Sequence, residues 1–252
     1  MQGDARAHEH PPRREALFVL LGAIFLSNAL IAEMVGGKLF QTSMLGLPLT
    51  LSVGALLWPV VFVTSDLINE YFGRSGVRRL SLVGAAMIAY AFVAIWVCGL
   101  PTAASFSPVP DSAFNAVFRQ SRWIIVGSIC AFLVGQLVDV SVFWALRRAT
   151  GPSKLWLRAT GSTVVSQLID TFIVGFIGLH LPFLMYGPGN GIDFPTYLKG
   201  AASGYVFKFV VAIAMTPALY LGHSVFDRWL GVRESQALIG EAVHEEEVRR
   251  RD

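Results

Sequence analysis

The sequence predicts an all-α, polytopic membrane protein, a bundle of six transmembrane helices with both termini cytoplasmic. Composition is the first reason. Of 252 residues, 54% are hydrophobic and only 15% charged, and the mean hydropathy is +0.57, whereas soluble domains carry roughly 25% charged residues. The second reason is the spacing of apolar residues: six runs each approach the ~20 residues that a helix rising ~1.5 Å per residue needs to cross ~30 Å of hydrocarbon. The third is the placement of Lys and Arg between those runs, concentrated in alternate connections.

In chain order, residues 1–15 are polar and include His8, Pro11, Pro12, Arg13 and Arg14. They hold too few apolar groups to bury a core and are expected to form a disordered cytoplasmic tail. Residues 16–230 form the transmembrane domain, with runs at about 16–36, 48–68, 80–100, 123–146, 161–186 and 200–221. A signal peptide is disfavoured for the first run, which is long and has no A-x-A-like cleavage site before the next hydrophilic segment. Pro59 and Pro217 should kink the second and sixth runs, because proline removes a backbone donor and crowds the preceding turn. The connection 101–122, with Pro101, Pro108 and Pro110, is the longest and reads as a linker or an external cover. Gly187-Pro188-Gly189-Asn190-Gly191 is a turn cluster without the Gly-Lys-Ser/Thr ending of a phosphate loop. Residues 231–252 form a charged cytoplasmic tail whose charges read as a solvated face.

Sidedness follows from the basic residues. Fifteen lie in the N-terminal tail, the second-to-third and fourth-to-fifth connections and the C-terminal tail, against four (Lys38, Arg119, Arg122, Lys199) in the other connections. By the positive-inside rule both termini are then cytoplasmic. In this context the net charge of +3 and the pI near 9.0 are topology signals, so no nucleic-acid partner is implied; membrane lipid is. Cys98 and Cys130 sit inside apolar runs, and the histidines show no HExxH-like spacing, so no disulfide framework, metal site or cofactor is indicated.

Polar groups inside the apolar runs carry the functional reading. Asp66, Asn69 and Glu70 fall at i, i+3 and i+4 and share one helix face. A carboxylate within hydrocarbon costs roughly 2.5–3.5 kcal/mol on insertion scales, so such groups face a bundle interior or an aqueous cavity. A short internal similarity adds to this: Gln136 and Asp139 in the fourth run match Gln167 and Asp170 in the fifth, with Gln and Asp three apart both times. In an antiparallel hairpin the two pairs should sit at similar depth. Interhelical hydrogen bonds of about 0.6 kcal/mol each are the structural explanation for such residues. Two ionisable aspartates shift the balance towards a cavity, since Ser or Asn could make the same bonds. Lys208, in the sixth run, could neutralise one carboxylate as a structural ion pair or change partners during a cycle. Glu33 reads as interfacial. Carboxylates, amides and aromatic rings together suit a small planar polar ligand: a carboxylate accepts two parallel hydrogen bonds from a guanine-like N–H and amino pair, an amide meets a carbonyl, and a ring stacks.

At these residues the chain resembles the queuosine precursor transporters, a bacterial family of six-helix vitamin-uptake-type membrane proteins. The likeness runs from Ser27-Asn28 to the sixth run. It is carried by Thr64-Ser65-Asp66-Leu67-Ile68-Asn69-Glu70-Tyr71-Phe72-Gly73-Arg74, by Gly135-Gln136-Leu137-Val138-Asp139-Val140-Ser141-Val142-Phe143, by the stretch from Ser162 to Asp170-Thr171, and by Tyr205-Val206-Phe207-Lys208 leading to Thr216-Pro217. The resemblance implies import of 7-deazaguanine precursors of the tRNA base queuosine across the bacterial inner membrane. It nominates Asp66, Asn69, Glu70, Gln136, Asp139, Gln167, Asp170 and Lys208 as substrate or gating residues, Asp66 being firmer than Asn69 and Glu70 because family members vary at the latter two. Two other readings stay open: a substrate-binding subunit of a multi-component ATP-driven importer, and, less well supported, an intramembrane Mg²⁺-dependent transferase. Assembly as a homo-oligomer is also open.

Overall fold

The computed structural model describes residues 11–44, 46–118, 122–151 and 154–248. Within them the chain folds into helices α1 (Pro11–Val35), α2 (Trp58–Cys98), α3 (Asp111–Phe118), α4 (Arg122–Thr150), α5 (Leu155–Gly175), α6 (Leu181–Tyr186), α7 (Phe194–Ala214), α8 (Thr216–Leu230) and α9 (Val232–Val248). One two-stranded antiparallel hairpin, β1 (Leu39–Met44) and β2 (Leu47–Ser52), joins α1 to α2. A single π-type turn, Phe176–His180, links α5 to α6. The molecule is an all-α membrane bundle with this hairpin as its only sheet among the described residues, and five of its helical segments are long and apolar enough to cross a membrane.

The hairpin corrects the expected second run. Residues 48–52 are strand rather than helix, because Leu47-Pro48-Leu49-Thr50-Leu51-Ser52 alternates with period two; Leu49 and Leu51 are buried with Phe207 beneath them. Pro59 accordingly opens α2 in its first turn, where its missing N–H costs nothing, and does not kink a span. Pro217 does interrupt the chain as expected: α7 stops at Ala214 and α8 restarts at Thr216. Of the expected tails, residues 1–10 and 249–252 lie outside the described residues, while 11–15 already belong to α1.

α2 is not a straight rod. Gly73 has φ 66° and ψ −168°, a conformation open essentially only to glycine, and the helix doubles back there. Ser65 and Ser81 both donate to the same Gln136 Oε1, at 3.2 and 3.5 Å. A straight helix would hold residues that far apart in sequence about 24 Å from one another. Gly76 likewise lies against Phe72 and Ile68. The connection expected between the second and third runs is therefore a single glycine between two helical arms, 58–72 and 74–98, and Asn69 and Glu70 stay helical and buried.

Around this hinge the elements pack in alternating directions. Gly22 of α1 faces Leu80, and Gly84 faces Leu26 and Phe132, which sets α1 alongside the second arm of α2. α4 and α5 form an antiparallel pair in which Gly135 meets Asp170 and Asp139 meets Ser166. α7 returns along α5, with Tyr205 donating to the Val164 carbonyl and Thr160 bonded to Thr216 further along. Leu17, Leu21, Phe25, Ile68, Tyr71, Phe143 and Trp144 belong to the core that results.

The charged C-terminal segment is also part of the fold. α9 buries Ser235, Leu238, Ala242 and Glu246 while exposing its other side, so the expected solvated face is only half of it. Ala242 lies where a Cβ on Gly73 would reach. Arg74 and Arg148 flank Glu246 at 3.6 and 3.9 Å, and Ser75 donates to Glu245. α9 thus closes over the α2 reversal.

Candidate functional site

Both Gln/Asp pairs line one narrow internal cleft. Gln136 and Asp139 of α4, Gln167 and Asp170 of α5, and Trp58, Phe62 and Ser65 of the first α2 arm contribute to its wall. Glutamine and aspartate three apart share a helix face, and the antiparallel α4–α5 packing turns the two faces towards each other. The hairpin register refines the expected depth: Asp139 is level with Ser166, which donates to it at 3.1 Å, and Asp170 is level with Gly135. The aspartates are therefore offset by about one helical turn, ~5.4 Å along the axis.

Polar satisfaction differs among these residues. Gln136 uses its carbonyl oxygen to accept from Ser65 and Ser81, tying both α2 arms to α4. Asp170 accepts from Lys208 of α7 at 2.5 Å, with both side chains 15% exposed; the intramembrane lysine thus neutralises the fifth-run aspartate. The cleft volume is about 10 Å³, which is the room one water needs. The bundle is closed around these groups.

The Thr64–Arg74 motif divides. Asp66 is buried, and its Oδ1 has no hydrogen-bond partner. It lines a second small cavity, which shares Phe62 and Thr163 with the first. Asn69 and Glu70 turn elsewhere. Asn69 accepts from the Trp144 indole N–H at 2.9 Å. Glu70 is buried between two arginines: Arg147 Nη1 donates at 2.6 Å, and Arg158 donates through Nη2 at 2.7 Å and Nε at 3.2 Å. Arg147 also stacks over Trp144 and Arg158 over Phe143.

Arg147 and Arg158, counted in the sequence as loop charges, are 7% and 2% exposed. A signal for them was present. Asp139, Phe143 and Arg147 are spaced by four, and so are Arg158, Ser162, Ser166 and Asp170, so each arginine shares a helix face with an aspartate of the Gln/Asp pairs. It was obscured because α5 begins at Leu155, six residues before the expected start. Glu33 is likewise engaged within the bundle, accepting from Ser128 of α4 at 2.5 Å. Among the described residues no group of three His, Cys, Asp or Glu side chains is placed to hold a metal ion.

Comparison with known proteins points in one direction. The family model described as "Putative vitamin uptake transporter" matches residues 52–222. A Bacillus subtilis protein named "Probable queuosine precursor transporter" is 31% identical over 68% of this chain and 71% of its own length. The Escherichia coli "Queuosine precursor transporter" is 26% identical over 66% of this chain and 70% of its own. A Haemophilus influenzae relative, named like the Bacillus one, is 30% identical over 50% of this chain and 51% of its own. No solved structure matches the chain.

Proposed function

The chain belongs to the queuosine precursor transporter family, of the vitamin uptake transporter type, and we propose that it imports 7-deazaguanine precursors of queuosine, 7-cyano-7-deazaguanine or 7-aminomethyl-7-deazaguanine, across the bacterial inner membrane. Its family is one of transporters, not enzymes. The observation that carries the substrate reading is the convergence of Gln136, Asp139, Gln167 and Asp170 on one cleft beside Phe62. An aspartate can take the paired N–H and amino donors of a guanine-like edge, a glutamine amide can meet its carbonyl, and an aromatic ring can cover its face.

A cleft of about 10 Å³ is far below the roughly 300 Å³ of a typical ligand pocket, so loading requires the helices to separate. Alternating access supplies that motion, with the α2 arms and the interrupted α7–α8 pair moving against the α4–α5 hairpin. The chain crosses the membrane six times when the two arms of α2 are counted separately, a reading supported by the reversal at Gly73. Arg74, Arg147, Arg148 and Arg158 gather at the end covered by α9, which supports that end, and with it both termini, as cytoplasmic.

Uptake of radiolabelled 7-deazaguanine precursor into proteoliposomes containing only this chain tests the reading. Wild-type protein accumulates label, and Asp139→Asn lowers initial uptake at least tenfold at equal reconstituted abundance. Absence of wild-type uptake that returns on adding an ATP-hydrolysing partner would favour the multi-component importer; wild-type rates in Asp139→Asn would overturn the site.

A further inference from the structure

The intramembrane carboxylates are unequally neutralised. Glu70 is held by Arg147 and Arg158, and Asp170 by Lys208. Asp66 forms no ion pair with any described residue, is 6% exposed, and keeps its Oδ1 without a hydrogen-bond donor. A buried carboxylate without a counter-charge is strongly penalised. Beside it lies the second cavity, about 10 Å³, lined by Asp66, Thr160, Thr163, Met215 and Thr216 among others. Thr160 Oγ1 and Thr216 Oγ1 are 3.1 Å apart. Met215 occupies the break between α7 and α8, created where Pro217 cannot continue the helix.

We propose that Asp66 and the hydroxyls of Thr160, Thr163 and Thr216 form a binding site for a dehydrated monovalent alkali cation of sodium size, at the α7–α8 break. The chemistry fits: the lining offers hard oxygen donors, one negative charge and room for one water-sized particle. Magnesium and calcium are disfavoured, because a single carboxylate serves the site and these ions require more anionic or hydrated shells. The cavity shares Phe62 and Thr163 with the Gln/Asp cleft, so the ion stands one side chain away from the proposed substrate. Binding there draws the first arm of α2, α5 and α8 together across the same groups that frame the cleft.

The test uses the full-length protein in nanodiscs and needs no deazaguanine, so its failure and the failure of the substrate reading are separable. Binding of ²²Na⁺ is followed by scintillation proximity, with choline as the inert competitor. Saturable binding is expected in wild type and in Gln167→Ala, which lines only the neighbouring cleft. At least a tenfold loss is expected in Asp66→Asn and in Thr216→Val. Sodium chloride, but not choline chloride, should raise the wild-type melting temperature, and this shift should vanish in Asp66→Asn while that variant's melting temperature in choline stays measurable. Absence of both saturable binding and the sodium-specific shift in wild type overturns the site and leaves it a place for water or a proton. Binding that persists in Asp66→Asn overturns it equally.

Discussion

Glu70→Ala separates structure from transport at the motif's acidic face. Glu70 is 2% exposed, and its two oxygens receive three N–H donors from Arg147 and Arg158, themselves 7% and 2% exposed. Removing the carboxylate strands two guanidinium charges in the interior of the bundle, where they repel each other and have lost their common partner. Breaking a buried pair costs about 3–5 kcal/mol because the remaining charge is uncompensated. For a chain of this size each kcal/mol moves the melting temperature by about 2–4 °C, so a fall of about 10 °C is expected. Fluorescence-detected size exclusion after heating, in detergent, reads this directly. Glu70→Gln should fall almost as far, since it keeps the shape and loses the charge. Arg147→Met should fall less, because the two-point grip of Arg158 remains. If Glu70→Ala instead melts with wild type while its KM for precursor rises, Glu70 is a substrate ligand and the structural account of the triad is wrong.

Other outcomes follow from the same geometry. Gly73→Ala places a Cβ in a backbone conformation that costs about 1–3 kcal/mol for a non-glycine residue, and 3.3 Å from the Ala242 Cβ; reduced membrane abundance is expected, and wild-type stability would refute the reversal. Lys208→Met should lower abundance by leaving Asp170 buried without its cation, whereas Lys208→Met combined with Asp170→Asn should restore it. Failure of the double variant to recover would show that the lysine has another task. Trp144→Phe removes the donor to Asn69 and leaves a buried amide oxygen unpaired, at a cost of about 1–3 kcal/mol, readable as a lower melting temperature with uptake retained at low temperature.

Some of this was legible in the sequence because the hydrocarbon environment imposes simple constraints. A helix must satisfy its own backbone in lipid, so long apolar runs named the bundle. Gln136, Asp139, Gln167 and Asp170 could be placed on facing stripes from spacing alone, since the α-helical period is fixed. The sequence also foretold the interruption at Pro217. What it could not supply was the assignment of partners. Lys208 had several carboxylates within reach on hydropathy grounds, and only the α5–α7 packing delivers it to Asp170. By helical period alone Glu70 and Asp66 are equivalent, acidic residues one turn apart on the same face. Tertiary packing gives Glu70 two arginines and leaves an oxygen of Asp66 unpaired. Residues 48–52 were apolar enough for a span but alternate like a strand, and the contact of Leu49 and Leu51 with Phe207 settles them as β2. The composition and helical period of the sequence by itself determined that this protein is a membrane bundle with polar stripes inside it. Only the tertiary structure decided which of those polar groups cancel one another and which remain to meet a ligand, because pairing between distant residues depends on distances of a few ångströms that local periodicity does not encode.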